Sequence, residues 1–520
     1  MSELEKRLIQ MENNHIDFQA KLQSIPLTPH PCFVNHGVLL PPQFTPDRNP
    51  VAIPDEIASQ FSNLSPTIHR HCLYPSSAHE LHQAPKRIAM VFSGGPAPGG
   101  HNVIAGILDM LGPHHTAFGV LGGPGGLLSG RLQQITCEDI RPYRNTGGFH
   151  FLGTDRTKIK STSQIKAVKD VVTQYQLDGL IIIGGDDSNT NATVLAHHLS
   201  ELNCTVVGVP KTIDGDMQLN SLLPITFGFD TATTFYSHLV GNLMTDSKSV
   251  KKYWHFVKLM GRDTSHVALE VALQTHPTLT LLTEEMIHRH ASLEMIVDDI
   301  IDVIKRRSEN GLNHGVVIIP EGLIAHISND ISRFILNYDP TALTQQQDDH
   351  GHHPVSAIQT EVLLGRCIEL KLSETNINFQ PRYHAFGYEG RCSPPSPFDS
   401  WYGYQLGLTA ASLFLGGHTG FLASLTQLST GGMPLGIPLM RLFDYQSDPQ
   451  SSSAVQSAVI KRVPVNLDSP AFRFFNSRRD QWANSDCFSS PGPLVIDDDY
   501  KTLPRSVALN QGYTDFVITP

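Results

Sequence analysis

The sequence predicts an α/β protein of two doubly wound, parallel-sheet lobes of Rossmann-like build. Three observations carry that expectation. Short apolar runs such as Leu180-Ile181-Ile182-Ile183 alternate with longer helix-periodic stretches such as Leu293–Arg307. Glycine-rich turns directly follow several of the runs, the order strand, tight turn, helix expected of a parallel βα unit. A chain of 520 residues also has room for two or more domains with full cores.

Residues 1–85 read as an N-terminal extension: an amphipathic start (Leu4, Leu8, Met11), then a Pro-rich arm laid on the body or on a partner. The first βα unit begins with strand Arg87–Phe92, the loop Ser93-Gly94-Gly95-Pro96-Ala97-Pro98-Gly99-Gly100 and a helix from Val103. The loop fits neither the dinucleotide fingerprint nor the Walker A loop, yet its glycines allow backbone amides to approach an anion. A second strand and turn follow at Thr116–Leu121 and Gly122–Gly126, then a helix from about Ser163 capped by Ser161, Thr162 or Ser163. The central strand runs into Gly184-Gly185-Asp186-Asp187-Ser188, with helix from Ala192, and strand Thr205–Val209 feeds Lys211-Thr212-Ile213-Asp214-Gly215-Asp216. A second lobe is expected from strand Tyr253–Leu259 with Met260-Gly261-Arg262 at its end, and strand Val316–Ile319 with Glu321 at its end. Residues 324–360 read as irregular; Tyr388-Glu389-Gly390-Arg391 precede a helix over Trp401–Leu415, and the last hundred residues show no clear motif. The expected division is 1–85, a lobe over 86–215, a lobe over 216–400 and a C-terminal segment over 401–520 packing on both.

Composition narrows the function classes. Hydrophobic residues make up 40% and charged ones 17%, as in a globular protein, and no apolar run approaches the ~20 residues of a membrane span. A formal charge of −11 without a basic block argues against a nucleic-acid surface. Met1–Arg7 lacks a signal-peptide apolar region, and the seven Cys form no C-x-x-C pair, so a cytoplasmic protein with reduced thiols is expected.

The loops at the strand ends carry the chemistry. Ligands in doubly wound folds sit beyond the C-terminal strand ends, where the Gly, Asp and Lys loops fall. One carboxylate among Asp186, Asp187, Asp214 and Asp216 could hold Mg²⁺ between phosphate oxygens, and another could accept a hydroxyl proton. Lys211 could neutralise a leaving phosphate, Arg262 and Arg391 could grip a substrate phosphate, and Glu321 could bind sugar hydroxyls. Together these describe phosphoryl transfer to an alcohol.

This set of six ordered motifs resembles the phosphofructokinase family, and within it the long-chain, pyrophosphate-dependent branch. The resemblance implies an active site between the lobes, Mg²⁺ as cofactor, and fructose 6-phosphate and pyrophosphate as substrates. It implies Asp214 as the base for the fructose 1-hydroxyl, Thr212 and Ile213 lining the sugar-phosphate site, and Asp186 on Mg²⁺. Gly94 and Gly95 would contact pyrophosphate, with Arg156 as a further donor-binding residue. Met260, Gly261, Arg262, Glu321, Tyr388, Glu389, Gly390 and Arg391 would bind fructose 6-phosphate. Lys252 and Tyr253 resemble a pair contributed by a neighbouring subunit, which implies a homodimer.

ATP-using members of the family have Gly at the positions of Asp187 and Lys211. An Asp there would face the α-phosphate of ATP, and like charges ~4 Å apart cost about 4 kcal/mol at an effective dielectric near 20, roughly a thousandfold. Pyrophosphate escapes that clash, and Lys211 serves its leaving group. Asp263-Thr264 departs from the family pattern; it adds negative charge near a phosphate site, or Asp263 caps the next helix. Three alternatives stand beside this reading: an ATP-dependent 6-phosphofructokinase, a catalytically silent regulatory subunit, and a Gly-Gly-Asp kinase acting on NAD or a lipid.

Overall fold

Two sheets organise the protein in a computed structural model that describes residues 22–50, 53–64, 68–78, 84–327, 359–446 and 457–492. The large sheet starts with β1 (Pro42–Pro46) and β2 (Leu73–Ala78) and continues with β3 (Arg87–Ser93), β4 (Thr116–Val120), β5 (Leu132–Ile135), β6 (Gly179–Gly184) and β7 (Thr205–Pro210). The second sheet takes β8 (Trp254–Leu259), β9 (Leu279–Thr280), β10 (Gly315–Pro320) and β11 (Pro381–Phe386). The chain then returns to the first sheet with β12 (Phe421–Thr426) and β13 (Met433–Pro438).

The large sheet runs β1-β2-β13-β12-β7-β6-β3-β4-β5, and its five central strands, β12 to β4, are mutually parallel. β6 and β7 are buried at every residue, which is why they read as unbroken apolar runs rather than alternating ones. The second sheet, β9-β10-β8-β11, is parallel throughout.

Helices cover the sheets as crossovers: α1 (Gly100–Leu111), α2 (Thr162–Tyr175), α3 (Asp186–Leu199), α4 (Phe229–Val250) and α5 (His266–Thr275). Further on lie α6 (Tyr388–Cys392) and α7 (Pro397–Leu415). α7 is buried along its whole length and crosses α1 so closely that a Cβ on Gly407 would lie 2.1 Å from the Val103 carbonyl oxygen. Only glycine admits that approach. α2 starts at a capping box in which Ser161 and Gln164 satisfy each other's backbone N–H groups.

The structure differs from the sequence reading in several places. α3 begins at Asp186, six residues before Ala192, so the paired aspartates occupy a helix N-terminus, where negative charge is favourable. Residues 388–391 belong to the short helix α6, and the turn at Gly122–Gly126 opens the helix Gly123–Leu128. β9 is short, with only Leu279 and Thr280 pairing, to Val317 and Ile318 of β10. The large sheet draws strands from the expected N-terminal extension (β1, β2), the first lobe and the C-terminal segment (β12, β13). The amphipathic start (Leu4, Leu8, Met11) and most of the irregular stretch expected over 324–360 lie outside the described residues. Among the described residues no helix is long and apolar enough to cross a membrane.

Candidate active site

Strand register brings the chemical loops to common edges. Ser93, Gly184 and Pro210 end β3, β6 and β7 side by side, so Gly94-Gly95, Asp186-Asp187 and Lys211 emerge from one edge. In the second sheet Leu259 pairs with both Pro320 and Phe386, so Met260-Gly261-Arg262, Glu321 and Tyr388–Arg391 emerge together.

The glycine loop is held from below. Gly94 adopts φ +88°, a conformation that favours glycine, and its N–H donates to the Asp155 carbonyl at 2.8 Å. Thr154 Oγ1 donates to the Gly94 carbonyl at 2.7 Å, and Ser188 Oγ donates to Ser93 Oγ at 2.8 Å. A Cβ on Gly94 would stand 3.5 Å from Lys211 Nζ, and one on Gly95 would stand 2.1 Å from Arg391 Nη2. The loop therefore has a cation on each side, one from each sheet.

Lys211 is only 8% exposed, and this desolvation pulls its ammonium down to about 8; Asp214 and Asp186 oppose the shift, Arg391 and Arg156 add to it. Burial pushes the Asp214 carboxyl up to about 6, with Lys211 opposing and Glu321 and Asp263 reinforcing. Asp216 is pushed up to about 7, first by burial, then by the charges of Asp214 and Asp186. A carboxylate raised towards neutrality beside a lysine lowered towards it is the pairing that acid–base chemistry requires. Thr212 and Ile213 shape the turn between them: Thr212 Oγ1 accepts from the Asp214 N–H at 3.0 Å, and Ile213 is buried.

At the edge of the second sheet, Gly261 (φ +128°) turns the chain so that Arg262 is exposed. The Arg391 guanidinium lies 5.1 Å from the centre of the Tyr388 ring, itself 76% exposed. Glu389 and Gly390 are occupied within the loop: Glu389 Oε2 accepts from the Gly387 N–H at 2.8 Å, and a Cβ on Gly390 would meet the Tyr236 ring at 2.6 Å. Lys252 and Tyr253 stand apart from all of these. They precede β8 while Met260 follows it, so the six-residue strand separates them by ~20 Å. Tyr253 is flanked there by Lys252 and Arg382, whose charges and hydrogen bonds lower its phenol pKa.

Two side chains, Lys158 and Arg462, had no signal in the sequence. Lys158 Nζ pairs with Asp187 at 2.9 Å. Arg462, from the C-terminal segment, donates from Nε to Asp186 Oδ2 at 2.8 Å and lies 2.9 Å through Nη1 from Asp263 Oδ2. Asp263 is therefore an ion-pair partner; the N-cap of α5 is Ser265.

Among the described residues no cluster of three or more His, Cys, Asp or Glu is placed to hold a metal. Asp186, at the helix N-terminus and close enough to Asp216 for its charge to be felt there, suits Mg²⁺ nevertheless, because Mg²⁺ commonly takes one or two carboxylates and completes its shell with substrate phosphates and water.

Comparison with known proteins settles the lineage. The phosphofructokinase family model matches residues 87–414. The chain belongs to the phosphofructokinase family. A pyrophosphate--fructose 6-phosphate 1-phosphotransferase of Treponema pallidum is 40% identical, over 80% of this chain and 83% of its own. The subunit beta 2 of that enzyme in Arabidopsis thaliana is 38% identical over 89% and 90%. Among solved structures, a pyrophosphate-dependent phosphofructokinase of Nitrosospira multiformis superposes with a TM-score of 0.53 at 16% identity, covering 82% of this chain and 97% of its own. That likeness agrees with the fold.

Proposed function

We propose that this phosphofructokinase transfers a phosphoryl group from pyrophosphate to the 1-hydroxyl of fructose 6-phosphate, giving fructose 1,6-bisphosphate and phosphate, reversibly. One observation carries the reading: Lys211 and Arg391 flank the glycine loop from opposite lobes, with Asp214 within electrostatic reach of both. Arg262, Arg391 and Glu321 hold the sugar phosphate, and Gly94, Gly95 and Arg156 hold pyrophosphate. Asp214 takes the proton of the 1-hydroxyl as its oxygen bonds to the near phosphorus. The bridging P–O bond breaks, and Lys211 neutralises the departing phosphate. Mg²⁺ bound at Asp186 would supply charge neutralisation for the phosphate oxygens. Asp187 and Lys211 support pyrophosphate over ATP as donor, as their charges suit a donor without a third phosphate.

The displacement of Lys252 and Tyr253 from their own chain's site supports a homodimer in which each copy lends the pair to the other. The metabolic role is glycolytic and gluconeogenic, in the cytoplasm. A coupled assay with fructose 6-phosphate and Mg²⁺ tests the donor. Activity with pyrophosphate well above that with ATP is expected; equal or greater activity with ATP, or none with either, overturns the reading.

A further inference from the structure

Arg462 comes from a part of the chain with no recognisable motif and reaches into the centre of the site. The hairpin Phe443–Gln446 and Ser457–Ile460 delivers a short strap over residues 461–465. Main-chain contacts pin that strap. Val463 N donates to the Asp216 carbonyl at 2.7 Å, Val465 N donates to Glu284 Oε1 at 2.9 Å, and the Val463 carbonyl lies 2.9 Å from His266 Nε2. Its one guanidinium then spans both lobes: Asp186 heads α3 in the first, and Asp263 follows Arg262 in the second. The Arg462 side chain is 40% exposed and that of Asp186 28%, so this is a solvent-edged pair that can be broken, unlike a sealed internal one.

A guanidinium on Asp186 occupies the carboxylate that a divalent cation needs. A bare metal ion must displace it and gains nothing from the freed arginine. A metal ion arriving with pyrophosphate brings an anion that the released guanidinium can bind through two N–H groups. Asp263 keeps the arginine tethered beside the site meanwhile. We propose that Arg462 makes the divalent metal and pyrophosphate bind as one unit, by guarding Asp186 until the anion arrives and then binding that anion. The inference rests on Asp186 being the metal-binding carboxylate. Thermodynamic reciprocity then requires that each ligand tighten the other by the same factor, and that this factor shrink when Arg462 is removed.

The test uses the full-length chain and Mn²⁺ as a paramagnetic probe. Free Mn²⁺ is read by electron paramagnetic resonance, with and without methylenediphosphonate, a pyrophosphate analogue that cannot be cleaved. In Arg462→Gln, Mn²⁺ alone should bind about 3- to 10-fold tighter, the scale of one partly exposed charged hydrogen bond. The tightening of Mn²⁺ by the analogue should fall at least as much. Arg462→Lys, which keeps the charge but not the two-pronged reach, should lie between, and it carries the test if the Gln variant does not fold. Unchanged Mn²⁺ affinity together with unchanged coupling in the folded variant overturns the proposal, and so does weaker Mn²⁺ binding without the analogue. Asp186→Asn separates the two ideas. If it binds Mn²⁺ as the unaltered chain does, the assignment of Asp186 has failed; if it loses Mn²⁺ while Arg462→Gln changes nothing, only the guard has failed.

Discussion

Replacing Asp187 by glycine should admit ATP, but by less than the bare charge argument suggests. Two unit charges ~4 Å apart repel by about 4 kcal/mol at an effective dielectric of 20 and by about 1 kcal/mol in water. The Asp187 side chain is 55% exposed and its partner Lys158 48% exposed, so the local medium lies between those limits. A repulsion of ~1.5–2.5 kcal/mol is the reasonable figure, so kcat/KM with ATP should rise roughly 10- to 100-fold and not a thousandfold. Asp187→Gly also frees Lys158 Nζ, 2.9 Å away, to attract a triphosphate. Lys158→Gln in the unaltered background should therefore do the reverse and lower kcat/KM with ATP further. Adding Lys211→Gly to Asp187→Gly should raise ATP turnover again and depress pyrophosphate turnover, because the leaving phosphate loses its cation. The two changes should be non-additive, since both act on the same phosphate chain. The measurement is kcat/KM for each donor in the unaltered enzyme, the single variants and the double variant. If Asp187→Gly leaves the ATP-to-pyrophosphate preference unchanged, the charge argument is refuted, and donor choice must lie around Gly122–Gly126 and Arg156.

Other outcomes follow from the same geometry. Asp214 must be ionised to act as base and Lys211 protonated to serve the leaving group, so kcat/KM should rise with pH through about 6 and fall through about 8; Lys211→Arg should abolish the alkaline fall, and a flat profile in the unaltered enzyme would contradict both roles. Asp214→Ala should reduce kcat by roughly 10²–10⁴ with little change in either KM. Arg262→Ala should raise the KM for fructose 6-phosphate by about 1.5–3 kcal/mol in binding terms and leave that for pyrophosphate nearly constant; a joint rise would mark Arg262 as structural. Asp399, fully buried, accepts from the N–H groups of Gly228 and Thr231 and so caps α4 from another helix. Asp399→Ala should destabilise the protein by about 2–4 kcal/mol in denaturant melts, with the buried donors left unpaired.

The fold class was legible because its signals are local. β6 and β7 are buried on both faces, so Gly179–Gly184 and Thr205–Pro210 leave an apolar trace that needs no partner to be seen. The glycines and charged residues at strand ends were visible for the same reason. The start of α3 was misjudged, because Asp, Ser, Asn and Thr serve turns and first helical turns alike. The arginine at Asp186 and the lysine at Asp187 were invisible for a different reason. Arg462 lies 276 residues along the chain from Asp186, and Lys158 lies 29 residues before Asp187. Neither stands in a periodic or glycine-rich setting, so only the fold brings them to the edge. The edge strand β1 and its neighbour β2 were masked by prolines: Pro42 and Pro46 bound β1, where an edge tolerates them, and Pro75 interrupts the β2 pattern.

The order of strands in the large sheet also bears on how the protein comes into being. β12 pairs with β7 through Phe421 and Val207, so the strand that carries Lys211 at its end gains its second neighbour only after more than two hundred further residues have been made. A nascent chain emerging from the ribosome therefore holds an unpaired strand edge, from a strand that is wholly buried in the finished fold, while the entire second sheet is synthesised. Closure of that edge is a high-separation contact and should be the slow step of folding. A gene fragment cut at 215, or a nonsense codon anywhere before 421, would leave the edge open. Such a product should aggregate rather than persist as a half-active lobe, and the full-length chain should depend on chaperones during synthesis more than its finished stability suggests.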